Sequence, residues 1–317
     1  MTIGLTILGV VVILAAVRDI FHTLFNPSKQ GDLSDLIART IWRGFRRFLP
    51  RALNFAGPLG FLTVVAYWTV SMIVGFALVY LPHISQGFSF SAGIPHDAYA
   101  NFLGALDASI GSLITLSTGI YSKQPWMQLV MGTESIVGFG ILTASVSWIL
   151  SIYPVLEHRK SLAHEASLLH FSEIHGIRRL RDISESDLHS ILLGLATQLA
   201  TSRNELIQFP ITHYFHEHER ETSLAAVLPY LADIAAQNVR GNGGVALAAA
   251  VLGGAIDDYL KFVARAFLRR PFSDRYEILR AFAAEHLREV IRSPVVAAKQ
   301  PEREKPSQSN IGMGRQI

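Results

Sequence analysis

The sequence contains no cysteine. That excludes disulfides, thiolate metal sites and cysteine nucleophiles. Charge is scarce as well: Asp, Glu, Lys and Arg make up 17% of the chain, against roughly a quarter in an ordinary soluble protein. The deficit is local. Charges are almost absent up to Val17, from Leu53 to Leu81 and from Trp126 to Leu156. The net charge is only +3 and no sustained basic face carries interleaved aromatics, so a nucleic-acid partner is not expected. No P-loop, HExxH, Ser-His-Asp order or paired-carboxylate constellation is evident, nor a GxGxxG following a strand. The sequence therefore points to no enzyme and no cofactor.

What the chain has instead is hydrophobic length. Half of its residues are apolar, and a helix needs about 20 of them in a row to cross a bilayer. Leu59 to Leu81 meets this without a charge and is stopped by Pro82. Met127 to Tyr153 meets it with one charge, Glu134. The run from Thr2 to Val17 is about 16 residues and spans only if it continues through Arg18 and Asp19 into IFHTLF. A signal peptide is the competing reading, but no basic n-region or small-residue cleavage site precedes it. Beyond Glu157 the composition becomes that of a soluble helical domain. The expected fold is an all-α membrane protein with a helical domain outside the bilayer.

Lysine and arginine set the direction. The linker between the first two spans holds Arg18, Lys29, Arg39, Arg43, Arg46, Arg47 and Arg51. The segment from His83 to Phe102 holds none, and Arg159 and Lys160 follow the third span. The linker and the C-terminal half are therefore expected in the cytoplasm, with the N-terminus outside. Within the linker, Leu36 to Leu49 alternates apolar residues and arginines at helical spacing. It suits either an amphipathic helix on an anionic leaflet or a helix packed on the cytosolic domain.

Tyr99 to Thr118 is apolar and helix-compatible, yet a full crossing here would put Arg159 and Lys160 outside. A re-entrant helix that stops midway and returns as extended backbone removes the conflict. Such backbone is tolerated at membrane depth only when buried in protein or lining water. Asp107 to Thr118 reads DASIGSLITLST, and Trp126, Glu134, Gly138 and Gly140 stand in WMQLVMGTESIVGFGILTAS. Over about Leu59 to Val155 the chain resembles the two-helix pore unit of bacterial potassium-type channels. The resemblance implies an outer helix, a re-entrant pore helix and loop, and an inner helix, assembled as a homotetramer in a bacterial cytoplasmic membrane. The permeant ion it implies is K⁺ or Na⁺. In that arrangement Thr115, Ser117, Thr118, Gly119, Ile120, Tyr121 and Ser122 form the filter and pore. Asp107 and Glu134 brace it from behind, and Lys123 rings the outer mouth. Gly138 and Gly140 are a gating hinge or, equally, a site of close helix packing.

The filter departs from the family pattern. Ile120 and Ser122 stand where the family has glycines, and Lys123 where it has aspartate. Alternate residues of such a filter need backbone angles that a β-branched side chain disfavours. A standard potassium filter is thus not implied. A cation pathway with altered selectivity, a channel-like scaffold that does not conduct, and a pore for another species all remain open. Lys123 could be relieved by pairing with Asp97.

The chain divides, on this reading, into an N-terminal helix (1–27), a basic linker (28–57), a pore domain (58–156), a helical cytoplasmic domain (157–292) and a disordered tail (293–317). Helices are expected at Leu162–Ile174, Glu185–Gln208, Arg220–Gln237, Gly244–Leu268 and Asp274–Arg292, separated by glycines and prolines. The apolar stretch Val245–Ile256 is too short to span. His213, His216 and His218 could ligate a divalent metal or titrate as a pH sensor, or be a polar helix start with no such role. The cytoplasmic domain could also take a small-molecule or ion ligand.

Overall fold

The computed structural model describes residues 2–25, 32–91, 95, 99–116, 118–177, 179–241 and 243–297. The chain is mostly helical (82%), and four helices are long and apolar enough to cross a membrane: Ile3–Leu24, Pro50–Gly87, Pro125–Ile174 and Gly243–Leu268. Two compact units form. The first comprises Met1–Ser161 with Ala200–Glu219, the second Leu162–Leu199 with the chain from Arg220 onward.

In the first unit, α1 (Thr2–Phe25) runs unbroken through Arg18 and Asp19. At 1.5 Å per residue it is about 36 Å long, enough to span. Asp19 is buried because its carboxylate has work on neighbouring helices. It accepts from the Leu33 amide at 3.2 Å, the Trp68 indole at 3.0 Å and the Ser34 hydroxyl. It thereby satisfies a free N–H in the first turn of α2 (Asp32–Phe48). Gly9 meets Gly75 of α3 (Ala56–Tyr80), where a Cβ on Gly9 would lie 2.5 Å from the Gly75 carbonyl. Small residues let the two helices approach this closely.

Helix α2 buries Ser34, Ala38, Arg39 and Trp42 against α3 and the 3₁₀ turn Pro210–Tyr214. Its Leu33, Leu36, Arg43 and Arg47 face outward. Part of its apolar face is thus covered by α3 and by Pro210–Tyr214, a piece of the 157–292 stretch that the sequence assigned to the helical domain. After α3 come a short turn, α4 (Ile84–Gly87), β1 (Phe88–Phe90), α5 (Phe102–Leu113), β2 (Ile120–Ser122) and α6 (Pro125–Ile174). Helix α6 has Pro125 at its start, where a missing N–H costs nothing. It then continues for 50 residues through Pro154. The separate helix expected at Leu162–Ile174 is therefore the last part of this one, with no break after Leu156.

The segment 200–219 was expected in the helical domain and packs in the first unit instead. The reason is Arg159. Its buried guanidinium donates to the carbonyls of Thr212 at 2.7 Å and Phe215 at 2.8 Å and pairs with Glu217. Phe215 in turn lies against Gly57 at the start of α3.

The second unit contains α7 (Glu185–Gln208) up to Leu199, then α8 (Leu224–Asn238), α9 (Gly243–Val263) with a π turn to Leu268, α10 (Arg275–Glu285) and α11 (Pro294–Ala297). The stretch expected to be too short to span thus belongs to a helix that has the length to do so. Its buried face (Ala248, Leu252, Ile256, Tyr259) packs on α8 and α10, and Asp257 pairs with Arg275 at 2.6 Å. Helix α8 starts at Leu224 rather than Arg220, whose guanidinium is drawn to the Val290 carbonyl at 3.0 Å. Helix α10 stops at Glu285 rather than Arg292. Leu287 there has φ 52°, and Arg292 is recruited by the buried Asp233 at 2.7 Å. The Ser293 amide also binds Asp233 at 3.0 Å, so the ordered chain extends into the first residues of the supposed tail. The remainder of that tail, from residue 298, lies outside the described residues.

Candidate functional site

The candidate site is the excursion between α3 and α6. Helix α5 has 12 residues, about 18 Å, well short of the ~30 Å hydrocarbon core. Asn101 caps its start, accepting from the amides of Leu103 at 2.9 Å and Gly104 at 3.3 Å. Its end is a sharp reversal. Thr115 has φ 56°, and the amides of Leu116 and Thr115 return to the carbonyls of Gly111 (2.8 Å) and Ser112 (3.2 Å). That pairing is the Schellman helix stop, with a threonine where glycine is usual. The chain then doubles back so closely that a Cβ on Gly111 would fall 2.5 Å from the Thr118 methyl.

The excursion begins and ends on one ribbon. Strands β1 and β2 are antiparallel, pairing Phe88 with Ser122, Ser89 with Tyr121 and Phe90 with Ile120. The Ser91 amide closes the pair on the Gly119 carbonyl at 2.8 Å, and the Lys123 amide binds the Gly87 carbonyl at 2.8 Å. The excursion that contains the half-length helix thus leaves from and returns to the same ribbon.

The ribbon changes the meaning of the filter residues. The positive φ, 79°, falls on Gly119. Ile120 is an ordinary strand residue with its side chain buried beside Tyr80 and Phe88, so the expected conflict between its branching and its backbone does not arise. The Gly119 carbonyl is held by Ser91. The Tyr121 carbonyl accepts the Ser89 hydroxyl at 3.2 Å, and the Ser122 carbonyl accepts the Gln128 amide at 3.1 Å. Tyr121 and Lys123 are exposed and Thr118 is half-buried. Ser117 and Asp97 lie outside the described residues.

Behind the reversal, Glu134 is fully buried. It accepts from the Tyr80 hydroxyl of α3 at 2.6 Å and from the Ser109 hydroxyl of α5. Helix α5 meets α6 again through Ser112, which donates to the Met131 carbonyl at 2.7 Å, and Ser135, which donates to the Ser112 carbonyl at 2.7 Å. Glu134 therefore fastens three helices at one point and, among the described residues, hydrogen-bonds none of those expected to form the filter. Asp107, half-buried two residues before Ser109, is not part of this network. Gly138 and Gly140 separate clearly. A Cβ on Gly138 would lie 2.1 Å from the Leu113 carbonyl, whereas nothing lies within 4 Å of one on Gly140. An apolar cleft of about 310 Å³ beside the tip of α5 is lined by Thr69, Leu113, Thr115, Gly138, Leu142 and Ser145.

The histidines do not converge. His213 is buried, with Tyr214 edge-on at 5.3 Å and Trp42 at 6.4 Å. His216 also faces Trp42 at 6.4 Å, and His218 is exposed. Among the described residues no group of three or more His, Asp or Glu is placed to hold a metal. Burial, reinforced by the charges of Arg159 and Arg39, keeps the His213 imidazole well below its ordinary value of 6.5.

Sequence reasoning missed Asp19, Tyr80, Ser109 and Arg159. Asp19 had a signal, a carboxylate inside an apolar run. So did β1, whose Phe-Ser-Phe-Ser alternation has the period of a strand. No family model, no curated protein and no solved structure matches this chain.

Proposed function

We propose that the protein is a homotetrameric cation channel with weak or altered potassium selectivity, set in a bacterial cytoplasmic membrane. Its pore would follow the potassium-channel plan that the sequence resembles: outer helix α3, pore helix α5 and inner helix α6. The arginine-poor loop around β1 and β2 would face outside and the helical domain the cytoplasm. One observation carries the reading, the half-length helix that enters and returns on a single ribbon. In a bilayer its exposed tip, Ile114 to Leu116, needs protein or water around it. Four copies about an axis supply both. Lipid surrounds the exposed faces of α1 and α6.

A second reading is favoured by the ribbon itself. The carbonyls of Gly119, Tyr121 and Ser122 each already accept a hydrogen bond within the chain, which leaves them poorer ligands to replace an ion's hydration shell. A channel-like scaffold that does not conduct would tolerate that arrangement.

Flux from purified protein in liposomes separates the two. The channel reading expects K⁺ and Na⁺ to pass with little discrimination, and Thr118→Ala to change the rate. Absence of flux for any small cation, from protein shown to be tetrameric, overturns it in favour of the scaffold.

A further inference from the structure

The second unit holds a cavity of about 600 Å³, within the usual range for small-molecule sites. Ile174, Ile234 and Val295 give it apolar walls, and Glu173, Arg179 and Arg181 give it charge. Most of its polar groups are already satisfied. Glu173 accepts from the Tyr230 hydroxyl at 2.8 Å and the Leu180 amide at 3.4 Å. The Gln237 amide donates to the Ser293 hydroxyl at 2.9 Å. The arginines are different. Arg179 forms no ion pair among the described residues, and Arg181 has only a solvent-exposed contact with Asp182 at 3.6 Å, which water largely screens. The unmet chemistry of the cavity is therefore positive. Both arginines are exposed, so an anionic head can reach them from solvent.

We propose that this cavity binds a small hydrophobic carboxylate, its head on Arg179 and Arg181 and its body against Ile174, Ile234 and Val295. A guanidinium fork matches a carboxylate in geometry and in charge. The site requires nothing of the pore, so it stands or falls separately from conduction.

The test uses the full chain in lipid nanodiscs with a fluorinated phenylacetate as probe, followed by fluorine NMR line broadening over that of empty discs. Saturable broadening is expected. The double variant Arg179→Gln/Arg181→Gln should weaken it roughly tenfold or more, the effect of losing a charge-assisted hydrogen bond. Val295→Trp, at the exposed edge, should abolish it by filling the cavity while circular dichroism stays unchanged. Equal binding of the uncharged amide analogue overturns the proposal, as does unaltered binding by the double variant or no saturable binding to the wild type.

Discussion

Thr115 is the one β-branched residue with a positive φ among the described positions. A side chain in that conformation costs roughly 1–2 kcal/mol. It persists because the carbonyls of Gly111 and Ser112 hold the turn, and strain of this kind gathers where a chain must reverse for a purpose. Thr115→Gly removes the strain but loosens the unfolded chain. The expected result is a net gain of about 1 kcal/mol, read as a higher thermal unfolding midpoint in detergent. A lower midpoint would mean that the threonine hydroxyl holds the loop in a way the glycine cannot replace. The sequence drew attention to Thr115 as a hydroxyl, but its strain was invisible there, because φ is set by what the neighbouring carbonyls accept.

At the scale of elements, the contact between α5 and α6 decides what Gly138 and Gly140 do. The sequence left hinge and packing equal for both, since glycine serves either. The fold divides the roles, because only Gly138 faces the Leu113 carbonyl. Gly138→Ala forces α5 away from α6 and should cost about 2 kcal/mol, as overpacking does. Gly140→Ala should keep or slightly raise the unfolding midpoint, since alanine is the better helix former where nothing crowds its Cβ. If α6 of the proposed pore bends at Gly140, that second variant alters ion flux without loss of stability. If both variants unfold alike, the close approach at Leu113 is not what holds α5. The amphipathic α2 teaches a similar lesson. Its period was legible in the sequence, but which surface covered its apolar face depended on Trp42 meeting residues far along the chain.

At the scale of the whole molecule, the segment 200–219 returns to the first unit and carries His213 with it. Trp42, Tyr214, Arg39 and Arg159 surround or influence this imidazole. Folded, it resists protonation; unfolded, it titrates near its ordinary 6.5. Below that value the unfolded chain holds a proton that the folded chain refuses, so stability falls as the pH drops from about 7 toward 5. Above it the residue contributes no pH dependence. Replacing the imidazole by a neutral amide, His213→Gln, should flatten this part of the profile in thermal unfolding across pH. An unchanged slope would show that other groups carry the acid sensitivity.

The sequence by itself determined three of the four apolar runs long enough to span, the short helix between two of them, and several helix limits, including both ends of α7. Each of these is local: apolar length, a capping side chain, or a breaker acting within one or two turns. Tertiary structure alone decided that Glu134 meets Tyr80 across 54 residues of sequence and that Arg159 gathers a segment up to 58 residues away. It also decided that Ile120, Tyr121 and Ser122 pair with β1. Those outcomes turn on which buried polar group finds which partner. A sequence lists the donors and acceptors, but only the folded chain brings them within hydrogen-bonding distance.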